Sequence, residues 1–112
     1  MATSVNLDNL RLITGGNAEL EATLFASFFK SADGCLESMR KSLSAGDDVV
    51  WQKQAHTLKG ASINLGATGL SELCAHAQGN CHASTENKRA MLASIEAVYK
   101  DVKDFLASTS GL

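Results

Sequence analysis

The most constraining feature of this sequence is the complete absence of proline from its 112 residues. An average usage of about 5% would place roughly five or six prolines in a chain of this length. β-Sandwiches and small barrels use proline in their many turns, so its absence argues against both fold classes. Hydrophobic residues make up 45% of the chain and charged residues 20%, as in globular proteins. We therefore expect one compact, helical domain over residues 1–112.

Charge and hydropathy exclude two classes of partner. Ten Lys and Arg against twelve Asp and Glu give a formal net charge of -2, which gives no support for nucleic-acid binding. No apolar run approaches the roughly 18 to 20 residues that a membrane helix needs, and the N-terminus carries no signal-peptide pattern. We expect a cytoplasmic protein that binds neither nucleic acid nor a membrane.

Apolar residues recur at helical spacing in five stretches. The first is short, is closed by Gly15-Gly16, and is predicted to bury three residues at a spacing of three: Leu7, Leu10 and Ile13. Asn17 is predicted to be the N-cap of the second helix, which ends at Gly46. The predicted buried stripe of this second helix consists of Leu20, Leu24, Phe28, Cys35, Met39 and Leu43.

Similar signals delimit the other three helices. Asp47-Asp48 predicts the start of the third helix and Gly66 its end, while the fourth begins near Thr68 and ends at Gly79-Asn80. The last helix opens at Ser84, and its predicted stripe is Met91, Ile95, Val98, Val102 and Phe105. Since short connections between long amphipathic helices favour antiparallel neighbours, the sequence predicts an all-α, antiparallel up-down four-helix bundle with an additional short N-terminal helix.

The third helix places a histidine on its outer face. With Leu58 at the centre of the buried face and about 100° per residue, six other residues lie within about 60° of that centre: Trp51, Gln54, Ala55, Ala61, Ser62 and Leu65. His56 lies about 160° away. It is therefore predicted to point outward from a rigid helix.

The neighbours of His56 favour phosphoryl chemistry. Gly60, at i+4, makes the helix about 1 kcal/mol less stable than Ala would at the same position. A glycine here would be explained if it leaves space beside the imidazole ring. Lys59 and Lys53, at i+3 and i-3, bring ammonium groups near the ring. Gln52, at i-4, is also a neighbour of His56 on the helix surface. A neutral imidazole is a competent nucleophile near pH 7, and nearby lysines offset the charge of a transferred phosphoryl group.

The segment Ala55–Ala67, with Leu70, Cys74 and Gln78 after it, resembles the core motif of histidine-containing phosphotransfer (Hpt) domains of the bacterial type. The resemblance covers nearly the whole chain, because Asp8 to Leu12, Leu24 to Phe29 and Ala45-Gly46-Asp47 fit the family layout as well. It implies that His56 is the phospho-acceptor and that Lys59 and Gly60 are the family's lysine and glycine. Gln78 matches a position, usually Glu or Gln, whose side chain lies near the histidine ring.

The resemblance also implies the partners. The phosphoryl group would come from an aspartyl phosphate on a receiver domain, for example of a hybrid sensor histidine kinase, and pass reversibly to another response-regulator receiver. Mg²⁺ is expected on the receiver, with no cofactor on this chain, which has no ATP-binding motif and so no kinase activity of its own. We expect a free-standing monomer that docks its receiver on Ile63 and Val49, two apolar residues on the outward face of the third helix.

Three alternatives remain open. One is a metal-binding bundle built on four side chains: Cys74, His76, Cys81 and His82. Their spacing matches no standard zinc site, and we expect Cys35, Cys74 and Cys81 to be buried reduced thiols. A second is a non-catalytic interaction bundle, although such relatives usually lose the histidine or lysine. The third is the phosphotransfer segment of a larger hybrid or chemotaxis-type sensor kinase.

Overall fold

The structure, a computed structural model, describes residues 5–110, with side chains for residues 5–108. It contains five helices: α1 (Asp8–Thr14), α2 (Ala18–Ala45), α3 (Asp48–Leu65), α4 (Thr68–Gly79) and α5 (Thr85–Ser110). The predicted all-α bundle is confirmed. Helices α3 and α5 each pack against both α2 and α4, and α1 lies against α2. None of the described helices combines the length and hydrophobicity needed to cross a membrane.

The predicted helix ends are confirmed where local residues determine them. The Asn17 and Asp47 side chains accept hydrogen bonds from the N–H groups of Leu20 and Val50, as N-caps do. Gly66 ends α3 with φ 91°, in the left-handed region that favours glycine. A Cβ at this position would lie 1.9 Å from the Asn6 carbonyl oxygen, so only glycine lets the N-terminal segment pack against the α3–α4 turn.

At the N-terminal end of the bundle the predicted burial is confirmed for Leu7 and Leu10 but was wrong for Ile13 and Leu20. Ile13 is 79% exposed, and Thr14 is buried in its place, where its hydroxyl donates to Glu21 Oε2 over 2.9 Å. The helical period of 3.6 residues explains this, because steps of three from Leu7 drift off the buried face by the second turn. Leu20 is likewise exposed, since Glu21 takes the inward position in the first turn of α2.

The predicted stripe of α5 is confirmed at Ile95 and Val102 and is displaced by one residue at its other three positions. Met91, Val98 and Phe105 are only half-buried, and the residue after each of them lies in the core. The buried face is formed by Leu92, Ile95, Tyr99, Val102 and Leu106. Apolar residues stand in adjacent pairs along this helix, so two stripes could be drawn, and the packing of α5 against α2 and α4 selects the second.

Helix α3 has the predicted orientation. Trp51, Ala55 and Leu58 are fully buried, whereas His56 lies on the exposed face. The cysteines are also placed as expected: all three are buried and none forms a disulfide. Burial raises the pKa of the Cys74 thiol to about 12, so this group is not a nucleophile near neutral pH.

Candidate functional site

One exposed face of α3 carries a line of three residues spaced by seven. Val49 is 73% exposed, Ile63 is 58% exposed, and the exposed His56 lies midway between them. Seven residues span about 10.5 Å of helix and return to within about 20° of the same direction. The two apolar side chains therefore flank the histidine along one surface about 20 Å long.

The His56 ring is oriented by a residue of the neighbouring helix. Its Nδ1 lies 3.4 Å from Oε1 of Gln78, a half-buried side chain in the last turn of α4. An amide oxygen only accepts hydrogen bonds, so this contact favours the tautomer with its proton on Nδ1. In that tautomer the free lone pair of the ring belongs to Nε2.

An open depression surrounds the ring. It is lined by five of the residues selected from the sequence: Val49, Gln52, Lys53, His56 and Gln78. Lys59 and Gly60 do not line it. They lie one turn further along α3 and are half-buried. A Cβ built on Gly60 would meet no atom within 4 Å, so the space beside this position is open.

A buried hydrogen bond connects the two helices that carry His56 and Gln78. The indole Nε1–H of Trp51 donates to the Ala77 carbonyl oxygen over 2.9 Å in the core. Trp51 precedes His56 by five residues on α3, and Ala77 is next to Gln78 on α4. The bond therefore holds the end of α4 against α3 beside the ring. Trp51 is predicted from the sequence only as a core residue, and its hydrogen bond to Ala77 has no signal in the local pattern.

A second group of interacting side chains, which the sequence did not predict, lies at the start of α3. Lys88 of α5 is only 5% exposed; its Nζ pairs with Asp48 Oδ1 and lies 5.3 Å from the centroid of the Trp51 ring. Asp48 Oδ2 in turn lies 3.1 Å from Nδ1 of His82. These two hydrogen bonds hold the pKa of Asp48 below its ordinary value, and the bond from Lys88 has the larger effect. Lys88 precedes Leu92 by four residues and Ile95 by seven, so all three lie on one face of α5. This spacing could have predicted that Lys88 is buried.

The four residues of the metal-site alternative do not converge. Cys74 is fully buried, Cys81 is buried, and the His82 ring faces Asp48. The His76 ring faces its own helix at Asn80. Within residues 5–108, the structure brings no three His, Cys, Asp or Glu side chains together in a way that could hold a metal ion.

Comparison with known proteins gives one match. A family model described as "Hpt domain" matches residues 23–107, which is more than half of the chain and includes α3, α4 and the exposed histidine between Val49 and Ile63. No curated protein matches the chain, and no solved structure matches it.

Proposed function

The chain belongs to the Hpt domain family, which acts in histidine phosphotransfer, and on that premise we propose that it is a phosphorelay intermediate with His56 as its phospho-acceptor. One observation carries the choice of residue: His56 is exposed on α3 and its Nδ1 faces Gln78 Oε1. This contact supports a proton on Nδ1 and Nε2 as the attacking atom.

The proposed step is an in-line transfer from a receiver aspartyl phosphate. The Nε2 lone pair attacks phosphorus, the N–P bond forms, and the bond from phosphorus to the aspartate oxygen breaks, so that the free carboxylate leaves. The imidazole ring becomes positively charged as it attacks. Gln78 Oε1 faces the Nδ1 proton and stabilises that charge. The reverse sequence passes the group to an aspartate of a second receiver.

Two lysines would stabilise the transferred group. Lys53 is exposed and lines the depression, and Lys59 lies one turn beyond the histidine. Residues three apart on a helix have Cβ atoms about 5–6 Å apart, so both ammonium groups can approach a phosphoryl group on Nε2. Gln52 adds a hydrogen-bond donor on the same side.

The proposed partners are response-regulator receiver domains and a hybrid sensor histidine kinase. The receiver would supply both the aspartate and Mg²⁺, so that this chain needs no cofactor. Exposed apolar side chains at Val49 and Ile63 would contact the receiver on either side of His56.

The test is phosphoryl transfer from a purified, phosphorylated receiver. We expect acid-labile, base-stable phosphate on the wild-type chain and none on His56→Gln. His76→Gln is the matched control, because it removes another exposed histidine that does not line the depression. Labelling of His56→Gln at the wild-type rate would refute the assignment.

A further inference from the structure

The three histidines of this chain differ in what faces their Nδ1 atoms. A carboxylate oxygen, Asp48 Oδ2, lies 3.1 Å from Nδ1 of His82, and an amide oxygen faces Nδ1 of His56. Both of these rings therefore carry their proton on Nδ1 and present Nε2 as the nucleophile.

His76 has the opposite arrangement. The Asn80 amide nitrogen lies 3.4 Å from its Nδ1, and the same nitrogen donates to the His76 carbonyl oxygen over 2.8 Å, which fixes the orientation of the amide. Nδ1 of His76 is therefore the acceptor, and its Nε2 carries the proton. Neither nitrogen of His76 offers a free lone pair.

The carboxylate that faces His82 is held in place by a buried lysine. Asp48 Oδ1 pairs with Lys88, whose ammonium is buried against the Trp51 ring. Lys88 also offsets part of the Asp48 charge, which weakens the repulsion of an approaching phosphoryl donor. The His82 side chain itself is 85% exposed.

We propose that His82 is a second phosphoryl-acceptor histidine, which takes the group on Nε2 from small phosphoramidate-type donors. The Nε2 lone pair attacks the phosphorus of zwitterionic phosphoramidate, the N–P bond to the ring forms, and the donor's P–N bond breaks to release ammonia. The ring keeps its Nδ1 proton and becomes an imidazolium, which the Asp48 carboxylate stabilises. The inference does not depend on the role of His56, because it needs no receiver.

The experiment uses the full chain carrying His56→Gln, incubated with potassium phosphoramidate, with phosphohistidine mapped by electron-transfer mass spectrometry. His76 is a matched control within the same molecule. We expect His82 to be labelled about fivefold faster than His76, because an ionised partner makes a hydrogen bond roughly twice as strong as a neutral one, a gain of about 1 kcal/mol. Equal rates at the two histidines, or no label at His82, would overturn the proposal.

A second variant tests the part played by the carboxylate. Asp48→Asn, added to His56→Gln, should lower the rate at His82 to that at His76, with folding checked by circular dichroism. A fully folded Asp48→Asn chain that labels His82 at an undiminished rate would also overturn the proposal. Where Asp48→Asn does not fold, the comparison of His82 with His76 in the His56→Gln chain still decides the question.

Discussion

The Trp51 indole donates a hydrogen bond to the Ala77 carbonyl oxygen, and this buried 2.9 Å contact joins α3 to α4 next to the His56–Gln78 pair. Trp51→Phe keeps an aromatic ring but removes the donor. We expect the free energy of unfolding to fall by about 1–2 kcal/mol, because one buried hydrogen bond is lost and the ring is smaller. Urea unfolding followed by circular dichroism measures this, since the variant lacks the only tryptophan.

The matched control for Trp51→Phe is Tyr99→Phe, which removes a 2.8 Å hydrogen bond to Asp33 between α5 and α2. Both variants should lower stability. Only Trp51→Phe should change the ¹⁵N shifts of the His56 ring, because only Trp51 is linked to the end of α4. Identical His56 spectra in the two variants would contradict a positioning role for Trp51.

Gln78 is predicted to act through its oxygen. Gln78→Leu removes the acceptor for the His56 Nδ1 proton, and phosphotransfer should slow about fivefold, the rate equivalent of a hydrogen bond of about 1 kcal/mol. Gln78→Glu keeps an oxygen at the same position and should retain transfer. Single-turnover transfer from a phosphorylated receiver is the measurement, and equal rates for Leu and Glu would argue against this role.

Gly60 offers a test that separates function from stability. Gly60→Gln should stabilise α3 by about 1 kcal/mol, because glycine is a poor helix residue and the space at this position is open. The longer side chain should nevertheless block the approach to His56 and slow receiver-dependent transfer at least about tenfold.

Gly34 is the matched control for Gly60, since it also lies within a helix with no atom near its missing Cβ. Gly34→Gln on α2 should raise the unfolding free energy by a similar amount and leave transfer unchanged. If Gly60→Gln transfers at the wild-type rate, clearance is not the reason for that glycine.

The sequence predicted α3 accurately because its core residues leave one choice of face. Trp51, Leu58 and Leu65 are separated by seven residues and define the buried direction, so the exposed position of His56 follows from helical geometry alone. The helix ends were equally predictable, because Asn17 and Asp47 act on their own helices through local hydrogen bonds.

The failure along α5 and the two contacts missed at α3 have a common physical origin. Along α5, Met91 and Leu92 are both apolar, and the choice between them depends on where α2 and α4 lie, which the local pattern does not contain. The Trp51–Ala77 bond and the burial of Lys88 likewise arise from contacts between residues 26 or more positions apart along the chain. Periodicity identifies a face but not the partner that packs against it.

Ile63 is predicted to contact the receiver. Ile63→Glu replaces an apolar side chain that is 58% exposed with a charged one, so the bundle should stay folded. The charge should weaken receiver binding by more than about 1 kcal/mol. Ala93→Glu adds the same charge at an exposed position of α5, which packs against α2 and α4, and should transfer normally. Transfer rates measured against receiver concentration distinguish the two variants, and unchanged rates in Ile63→Glu would rule out this docking surface.

Asp48 links stability to pH. Lys88 and His82 donate hydrogen bonds to its carboxylate and hold its pKa below the ordinary 3.8, so the ionised form favours the folded state. A group with a depressed pKa in the folded chain contributes stability above its unfolded pKa. That contribution is lost as the pH falls through the folded pKa.

The resulting prediction is that Asp48→Asn lowers stability near neutral pH and also removes part of the acid sensitivity. Below pH 3.8 the wild-type free energy of unfolding should fall toward that of the variant, because protonated Asp48 no longer binds Lys88 as an ion. Urea unfolding from pH 7 down to about 3 measures both curves. Asp104→Asn, which breaks only an exposed pair with Lys100, should follow the wild-type curve. Parallel curves for wild type and Asp48→Asn would show that the Asp48 contacts do not produce the acid sensitivity.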